Sequence, residues 1–150
     1  MFPTKILHDE PKVGILAGNF DVIHPGYIKM FQDAKYVCDK LVVAIHIDPT
    51  VERPQKMKPI LSHMERADIL LAIRFIDEVT FYNTEEDLVK VLERVDPDIR
   101  VLGSDYKGKP FTGDHLDIEI YYHDRNHDWS TTRFKNEIAE QVIKQRSGEQ

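Results

Sequence analysis

The chain has a single cysteine, Cys38, and no apolar run of the roughly 20 residues that a membrane-spanning helix requires. One thiol excludes an internal disulfide and any metal cluster held by cysteines alone. The first residues hold no signal-peptide core. These absences predict a cytoplasmic protein that has no membrane partner.

Positive charge is also scarce. The 20 lysines and arginines are outnumbered by 26 aspartates and glutamates, which gives a formal net charge of −6. This acidic balance argues against a nucleic acid as partner. A polyanionic small ligand would need a locally basic pocket, so the places where Lys and Arg cluster matter more than their total. At 150 residues, the chain is expected to form one domain, residues 1–150, with a buried core.

Short apolar segments alternate with helical patterns along the chain. Ser62 and Glu65 spell a capping box, and Thr84 can cap a later helix. The predicted strands are residues 13–17, 41–45, 78–82, 99–102 and 118–122, with further helices at 27–37 and after residue 130. This alternation implies parallel crossovers. We predict an α/β fold, a doubly wound, Rossmann-like parallel sheet of about five strands in a single domain, with 118–122 at its edge.

Two irregular stretches, residues 48–61 and 104–116, follow predicted strand ends. The carboxyl ends of parallel strands form the ligand-binding edge of such a sheet. Loops of this length in a compact domain are often functional, so we expect the site to lie beside them.

A turn of small and polar residues, 18–27, lies between the first predicted strand and the first helix. Gly18 permits a close approach of the backbone, and Gly26 leaves the first helical amides open to an anion. Asp21 and His24 lie three residues apart within the turn. This combination predicts a phosphate cradle, and the alternative is that the carboxylate and the imidazole only cap the helix.

A second constellation lies near the end of the chain, where Arg125 precedes Ser130, Thr131 and Thr132 at a predicted helix start. Hydroxyls, free amides and the helix dipole can together hold a phosphate, and an arginine fork matches phosphate oxygens. The alternative is an ordinary helix cap beside a surface arginine, and the spacing alone does not choose between the two.

A basic run, residues 53–58, stands out in the first long loop of this acidic chain. It includes Lys56 and Lys58, and Arg66 on the following helix can support it. One interpretation is a solvated charge run. The other is a lysine loop that closes over a triphosphate.

Two of these motifs together resemble a family of enzymes. The motifs are Gly18-x-Phe20-Asp21-x-x-His24-x-Gly26 and, near the end, Arg125 with the hydroxyls of residues 130–132. The pair is similar to the cytidylyltransferase-type nucleotidyltransferases. Glycerol-3-phosphate cytidylyltransferase is one named match, and the adenylyltransferase domain of bacterial heptose-phosphate enzymes is another. Either motif alone would be weak, whereas both in this order on an alternating α/β chain are specific.

The resemblance implies an enzyme that transfers CMP from CTP to a phosphorylated polyol or sugar and releases pyrophosphate. ATP as the donor is the alternative. Catalysis would rest on alignment and on stabilising the charge that builds at the phosphates. Mg²⁺ would arrive with the triphosphate, and a homodimer is expected by family analogy.

The resemblance also implies roles for particular residues. His24 would donate to a phosphate, Asp21 would order the turn, and Lys56 or Lys58 would be the loop lysine. Arg125 and the following hydroxyls would hold the β- and γ-phosphates. The implied nucleotide- and phosphate-binding residues are Gly18, Asn19, Phe20, Asp21, Gly26, Tyr27, Arg66, Asp105, Ser130, Thr131 and Thr132. None is assigned to a metal held by the protein.

The chain departs from the family pattern at Tyr27, where the family has a second histidine. A phenol can donate a hydrogen bond, but it carries no positive charge at neutral pH. In the second motif, Asn126 and Asp128 replace the family's Thr and Gly. His127 either supplies a compensating imidazole or is a solvent-facing loop residue. A nucleotide-binding sensor or subunit that has lost catalysis is therefore the alternative to an enzyme.

Asp105 follows the fourth predicted strand, and by family resemblance it can accept from the exocyclic amine of a base. Cytosine and adenine both have such an amine, so the base stays open. Lys107 and Lys109 either attract the acceptor phosphate or are exposed turn lysines. The spacing of His123 and His127 suggests a metal site only faintly, because nothing requires those side chains to converge.

Overall fold

The computed structural model describes residues 10–148, in which strands and helices alternate. The strands are β1 (Val13–Gly18), β2 (Lys40–His46), β3 (Glu78–Tyr82), β4 (Ile99–Gly103) and β5 (Glu119–His123). The helices are α1 (Pro25–Tyr36), α2 (His63–Leu71), α3 (Glu85–Val95) and α4 (Thr131–Ser147), with a 3₁₀ turn at Ser104–Tyr106. The predicted single-domain α/β fold is confirmed. The prediction about a signal peptide concerns residues outside the described range.

All five strands pair in parallel, in the order β3-β2-β1-β4-β5. The chain moves from β1 outward through β2 to β3 and then returns to β4 on the other side of β1. The strand order therefore reverses between β1 and β4, and ligands of such sheets bind outside the carboxyl ends at that point. β5 is an edge strand, as predicted, and its pairing with β4 aligns His123 with Gly103.

Both faces of the sheet are covered, which explains the nearly continuous apolar character of β1 and β2. One face packs against α1 and α2, in a cluster that includes Leu16, Phe31, Val43, Leu70 and Val101. The other face packs against α3, in a cluster that includes Ile15, Val42, Leu88, Val91 and Leu92. Each fully buried aliphatic side chain contributes roughly 1.5–3 kcal/mol. The two clusters therefore hold rigid the sheet from which the loops extend.

At the start of these helices, a side chain accepts a hydrogen bond from a backbone amide that has no partner within the helix. Ser62 and Glu65 form the predicted capping box at α2, and Thr84 caps α3 in the same way. α1 begins two residues earlier than predicted because Pro25 suits the first helical position and His24 caps it.

The two long connections, residues 47–62 and 104–118, leave the sheet at its carboxyl edge. α4 follows β5, and none of its residues is buried. Within residues 10–148, no helix combines the length and the apolar character that crossing a membrane would demand.

Asp96 ends α3 in the left-handed region, with a φ of 49°. This conformation disfavours L residues, and a carboxylate is unfavourable beside the negative end of the helix dipole. We expect Asp96→Gly to raise the free energy of unfolding by about 0.5–1 kcal/mol, measured by urea denaturation at pH 7. Asp98→Gly is the control and should lower it, because Asp98 accepts from the amide of Val13 at 2.8 Å. An Asp96→Gly variant no more stable than the parent would contradict this account.

Candidate active site

The turn after β1, the residues after β4 and the segment 125–130 before α4 meet at the carboxyl edge of the sheet. This is the point at which the strand order reverses. His24 and Thr131, 107 positions apart in the chain, come into hydrogen-bond contact there. The topology therefore unites the two motifs that carry the family resemblance.

His24 is held in one tautomer by its two hydrogen bonds. The amide of Gly26 donates to Nδ1 at 3.1 Å, so Nδ1 carries no proton. In the neutral ring Nε2 bears the proton and donates to Thr131 Oγ1 at 3.3 Å. His24 is only 6% exposed. Burial, followed by the charges of His127 and Arg125, lowers its pKa. The site therefore contains a neutral imidazole whose N–H can be donated.

Tyr27, at the position of the family's second histidine, stacks on His24 with ring centroids 4.3 Å apart. Its hydroxyl lies 2.6 Å from Thr131 Oγ1. Burial raises the pKa of the phenol, so Tyr27 is neutral at physiological pH. Thr131 is thus shared between the two rings, and the Tyr27 hydroxyl anchors it.

Gly26 allows the two motifs to touch. A Cβ atom at this position would lie 2.5 Å from Trp129 Cβ and 3.0 Å from His127 Cε1, which no side chain can accommodate without displacing the segment. The prediction that Gly26 leaves the first helical amides open to an anion needs correction. The amide of Gly26 is bonded to the His24 ring, and those of Tyr27 and Ile28 are bonded to the His24 carbonyl. The glycine is required by close packing instead.

Arg125 links the segment after β5 to the segment after β4. Its amide donates to Ser104 Oγ at 3.1 Å, Nη2 donates to the carbonyl of Trp129 at 2.9 Å, and Nη1 lies 3.5 Å from Asp105 Oδ2. A surface cavity of about 400 Å³ is lined by Ser104, Asp105, Arg125, Asp128, Trp129 and Ser130. A larger cavity of about 780 Å³ runs along α4 and is lined by none of the predicted site residues.

The three consecutive hydroxyls have different surroundings. Ser130 accepts from the amide of Arg133 at 3.1 Å, so it forms the ordinary helix cap that was the alternative interpretation. Thr131 contacts His24 and Tyr27, whereas Thr132 is exposed. Of the three, Thr131 is the one built into the site.

Asp21 supports the site from inside the protein. Its carboxylate accepts from the amides of Ile60 and Leu61 at 2.8 and 2.9 Å and from Lys135 Nζ at 2.7 Å. Burial raises the pKa of Asp21, but the bonds from Lys135 and the two amides outweigh burial and leave the pKa below its ordinary value. The sequence does not identify Lys135 as a site residue, because a lysine on an exposed helix gives no signal that it reaches a carboxylate 114 positions away.

Arg66, predicted to bind phosphate, has another role in the structure. It is 1% exposed, and its guanidinium donates to backbone carbonyls from both sides of the edge. The acceptors are the carbonyls of Asn19, His46, Ile47, Leu61 and Ser62. Four of the five N–H groups of this buried guanidinium are used in this way, so Arg66 ties the loops after β1 and β2 together. Phe20 is likewise internal, packed in the core at 3% exposure.

The lysines at this edge are exposed. Lys56 and Lys58 lie in the β2–α2 loop, whose end is fixed by Asp21. Lys107 and Lys109 lie in the β4–β5 connection, and Lys107 Nζ is 5.6 Å from the ring centre of Tyr122. The amines of the first loop are accessible to a bound anion.

His127 is half-buried, and its Nε2 lies 3.3 Å from Nε2 of His123. The predicted alternative of a solvent-facing loop histidine is therefore wrong. Between residues 10 and 148, no three His, Cys, Asp or Glu side chains form a group that could hold a metal ion.

A family model described as cytidylyltransferase-like matches residues 15–139, a span that includes both motifs. The chain therefore belongs to the cytidylyltransferase-like family of nucleotidyltransferases, as the resemblance predicts. Fold and family membership thus agree on a nucleotide-binding domain.

Curated relatives give the same family. The chain is 35% identical over 103 residues to the bifunctional protein HldE of Hyphomonas neptunium, which covers 68% of this chain and 21% of that one. It is 30% identical over 138 residues to HldE of Campylobacter jejuni, which covers 91% of this chain and 30% of that one. The chain therefore spans less than a third of the length of these relatives.

Solved structures share the fold. A lipopolysaccharide core biosynthesis protein from Thermoplasma volcanium superposes with a TM-score of 0.62 at 26% identity, covering 77% of this chain and 96% of that one. The pantothenate synthetase of Thermus thermophilus superposes with a TM-score of 0.57 at 14% identity, covering 87% and 66%. The second likeness shows the fold alone.

The hydroxyl of Tyr27 should contribute to stability through Thr131. We expect Tyr27→Phe to lower the free energy of unfolding by about 0.5–1.5 kcal/mol, because a partly buried hydrogen bond is lost while the ring stays. Urea denaturation measures the change. Tyr36→Phe is the matched control, since Tyr36 is 61% exposed and should give no change. Equal stability of the two variants would show that Tyr27 acts only through its ring.

The lowered pKa of His24 should make stability depend on pH. The unfolded chain protonates this residue near its ordinary pKa of 6.5, whereas the folded chain does so only at lower pH. The contribution of His24 is therefore present above pH 6.5 and is lost as pH falls through the folded pKa. His24→Asn, which keeps a capping side chain, should reduce the fall in unfolding free energy between pH 7 and pH 5. An exposed-site control, His115→Asn, should keep the parent slope, and identical slopes in both variants would refute the assignment.

Proposed function

We propose that this protein is a sugar-phosphate nucleotidyltransferase, which transfers the nucleoside monophosphate of ATP or CTP to a sugar phosphate and releases pyrophosphate. The observation that carries the proposal is the meeting of His24, Thr131 and Arg125 where the strand order reverses. Family membership supports the reaction class. The name of the Thermoplasma volcanium structure supports a sugar-phosphate acceptor.

In this reaction an oxygen of the acceptor phosphate attacks the α-phosphorus, and the bond to the oxygen that bridges to the β-phosphate breaks. Negative charge grows at the α-phosphate and on the leaving pyrophosphate, so correctly placed donors lower the barrier. His24 can donate through Nε2 and keep its bond from the Gly26 amide. We expect an oxygen of the triphosphate to replace Thr131 Oγ1 as the acceptor of this N–H.

Positive charge must come from elsewhere in the site, because His24 and Tyr27 are neutral. Arg125 belongs to the second motif, and its positive charge acts on both rings. Lys56 or Lys58 would add a second cation from the β2–α2 loop, as the family resemblance implies. Two of the five N–H groups of the Arg125 guanidinium contact Asp105 and Trp129, and the others would bind phosphate oxygens.

Mg²⁺ is proposed to accompany the triphosphate and to take most of its ligands from phosphate oxygens. This fits the donor set of the protein, since no group of three suitable side chains is found within residues 10–148. The ion would offset charge on the β- and γ-phosphates. Asp105 stays the proposed partner for the exocyclic amine of the base, and it lines the cavity beside Arg125.

ATP is the first donor to test and CTP is the second. The family description is cytidylyltransferase-like and favours CTP. The HldE relatives, at 30–35% identity, favour the resemblance to adenylyltransferase domains of heptose-phosphate enzymes. A match to individual relatives is more specific than membership of a broad family, so we place ATP before CTP.

A nucleotide-binding sensor or subunit without turnover is the second candidate function, and Tyr27 favours it. The Tyr27 hydroxyl is already bonded to Thr131, and the ring cannot become cationic as a second histidine could. This candidate predicts nucleotide binding without release of pyrophosphate.

A homodimer is also proposed, on the family analogy. α4 exposes Ile138, Val142 and Ile143, which are 46%, 39% and 64% exposed, and such an apolar strip suits a contact between copies. Sedimentation at several concentrations tests this independently of activity.

The reaction is tested by pyrophosphate release, with ATP, CTP, GTP and UTP each offered against phosphorylated heptoses, hexoses and glycerol 3-phosphate. We expect turnover with ATP or CTP and a sugar phosphate. Arg125→Ala should lower kcat/KM by roughly 10²–10³-fold, the size expected when one charge-stabilising donor is removed. Arg133→Ala is the matched control and should keep parent activity, because the Arg133 side chain pairs with Glu137 on the exposed face of α4. Nucleotide binding without turnover for every pair would favour the sensor.

A further inference from the structure

A chain of side-chain hydrogen bonds runs from α1 through β5 to the segment that carries Arg125. Asp33 Oδ2 lies 2.8 Å from His123 Nδ1, and His123 Nε2 lies 3.3 Å from His127 Nε2. The amide of Trp129 donates to His127 Nδ1 at 3.1 Å. We call Asp33, His123 and His127 the histidine relay.

Only one arrangement of protons satisfies every contact in the histidine relay. The Trp129 amide donates to Nδ1 of His127, so a neutral His127 carries its proton on Nε2. That proton is donated to Nε2 of His123, which must then carry its own proton on Nδ1 and donate it to Asp33. Tyr121 donates to the other oxygen of Asp33 at 2.9 Å and fixes the carboxylate. The two Nε2 atoms therefore share a single proton.

The histidine relay ends on the backbone that places Arg125. The carbonyl of Trp129 accepts from Arg125 Nη2 at 2.9 Å, while its amide is held by His127. Between these residues, Asp128 adopts a left-handed φ of 61°, a conformation that needs support from its neighbours. The ring of His127 also lies against Gly26, beside His24.

We propose that His123 and His127 are positioning residues, which hold the Arg125 segment in the conformation that binds the triphosphate. They act through the backbone of Trp129 and need not touch the nucleotide. A second proton on the pair would place two N–H groups face to face and break the contact, so acid should loosen the segment. The effect on nucleotide binding rests on the proposed function, whereas the proton arrangement is independent of it.

The charges around the pair are mixed. Burial lowers the pKa of His127, and so do the charges of His123, of Lys29 on α1 and of Arg125, whereas Asp128 raises it. Asp33 faces His123 from α1. A metal bridging the two Nε2 atoms is less compatible with the contacts, because a neutral His127 bound through Nε2 would turn an Nδ1–H toward the Trp129 amide.

The proton arrangement is tested first, in the protein without nucleotide, by NMR of ¹⁵N-labelled histidines. At pH 8 we expect the Nδ1–H tautomer for His123 and the Nε2–H tautomer for His127. The opposite tautomer at either residue would overturn the relay. Stoichiometric binding of Zn²⁺, with loss of the His123 and His127 proton signals, would overturn it as well and favour a metal site.

The positioning role is tested with His123→Phe, which removes the relay, and with His127→Asn. The asparagine side chain of the second variant can still accept from the Trp129 amide but cannot reach His123, so this variant separates the local turn from the relay. We expect KM for Mg·ATP or Mg·CTP to rise about five- to tenfold in His123→Phe, the size of one or two lost hydrogen bonds, with a smaller change in kcat. His115→Phe, at an exposed histidine, should leave both constants unchanged.

The pH profile separates positioning from a loss of structure. In the parent, KM should rise as pH falls from 7 to 5.5 by more than protonation of the nucleotide explains, and His123→Phe should lack this excess. Both proteins meet the same nucleotide, so the difference isolates the histidine pair. A folded His123→Phe variant with the parent KM and the parent profile would overturn the proposal. If no nucleotide binds to the parent while the NMR tautomers are as expected, the proposed function fails and the proton arrangement stands.

Discussion

The carboxylate of Asp21 is the interaction on which the arrangement of this site depends. It is 2% exposed, and an ionised carboxylate without partners would cost several kcal/mol at that depth. Its partners come from two distant segments: the amides of Ile60 and Leu61 lie at the end of the basic loop, and Lys135 lies on α4. One buried charge therefore fixes the first motif, the start of the last helix and the base of the lysine loop relative to one another.

Arg66 provides the complementary constraint. Its guanidinium donates to backbone carbonyls, whereas the Asp21 carboxylate accepts hydrogen bonds. The bonds from Arg66 to the carbonyls of Asn19 and His46 join the ends of β1 and β2. Burial lowers the pKa of Arg66, with Asp21 and Asp48 opposing that effect, yet an arginine remains charged. The two buried charges form hydrogen bonds largely with backbone groups of the loops. These bonds hold the irregular loops in fixed positions around the site. This explains why residues with phosphate-binding chemistry can be internal to the protein.

Much of the fold follows from local pattern in the sequence. Apolar runs mark the strands, the capping box at Ser62 and the cap at Thr84 mark two helices, and the alternation implies the parallel sheet. The pairing of the two motifs is likewise visible, because both adjoin predicted strand or helix ends. Which polar side chains turn inward is not visible. Arg66 and Asp21 match the sequence pattern of ligand-binding residues. Only the packing of distant loops brings backbone carbonyls to Arg66, and backbone amides and Lys135 to Asp21.

The same type of backbone hydrogen bond fixes the tautomer of two imidazoles in the site. In His24 and again in His127, the amide two residues further on donates to Nδ1, at 3.1 Å in each case. Each ring is thereby held neutral with its proton on Nε2, and protonation of either would break a backbone hydrogen bond as well as add charge. Under the proposed function, a site that holds these two imidazoles neutral draws the positive charge for a triphosphate from Arg125 and the loop lysines. In that setting Tyr27 is a consistent replacement for a histidine: it stacks on His24 and bonds to Thr131, and it leaves the positive charge of the site to Arg125 and the loop lysines.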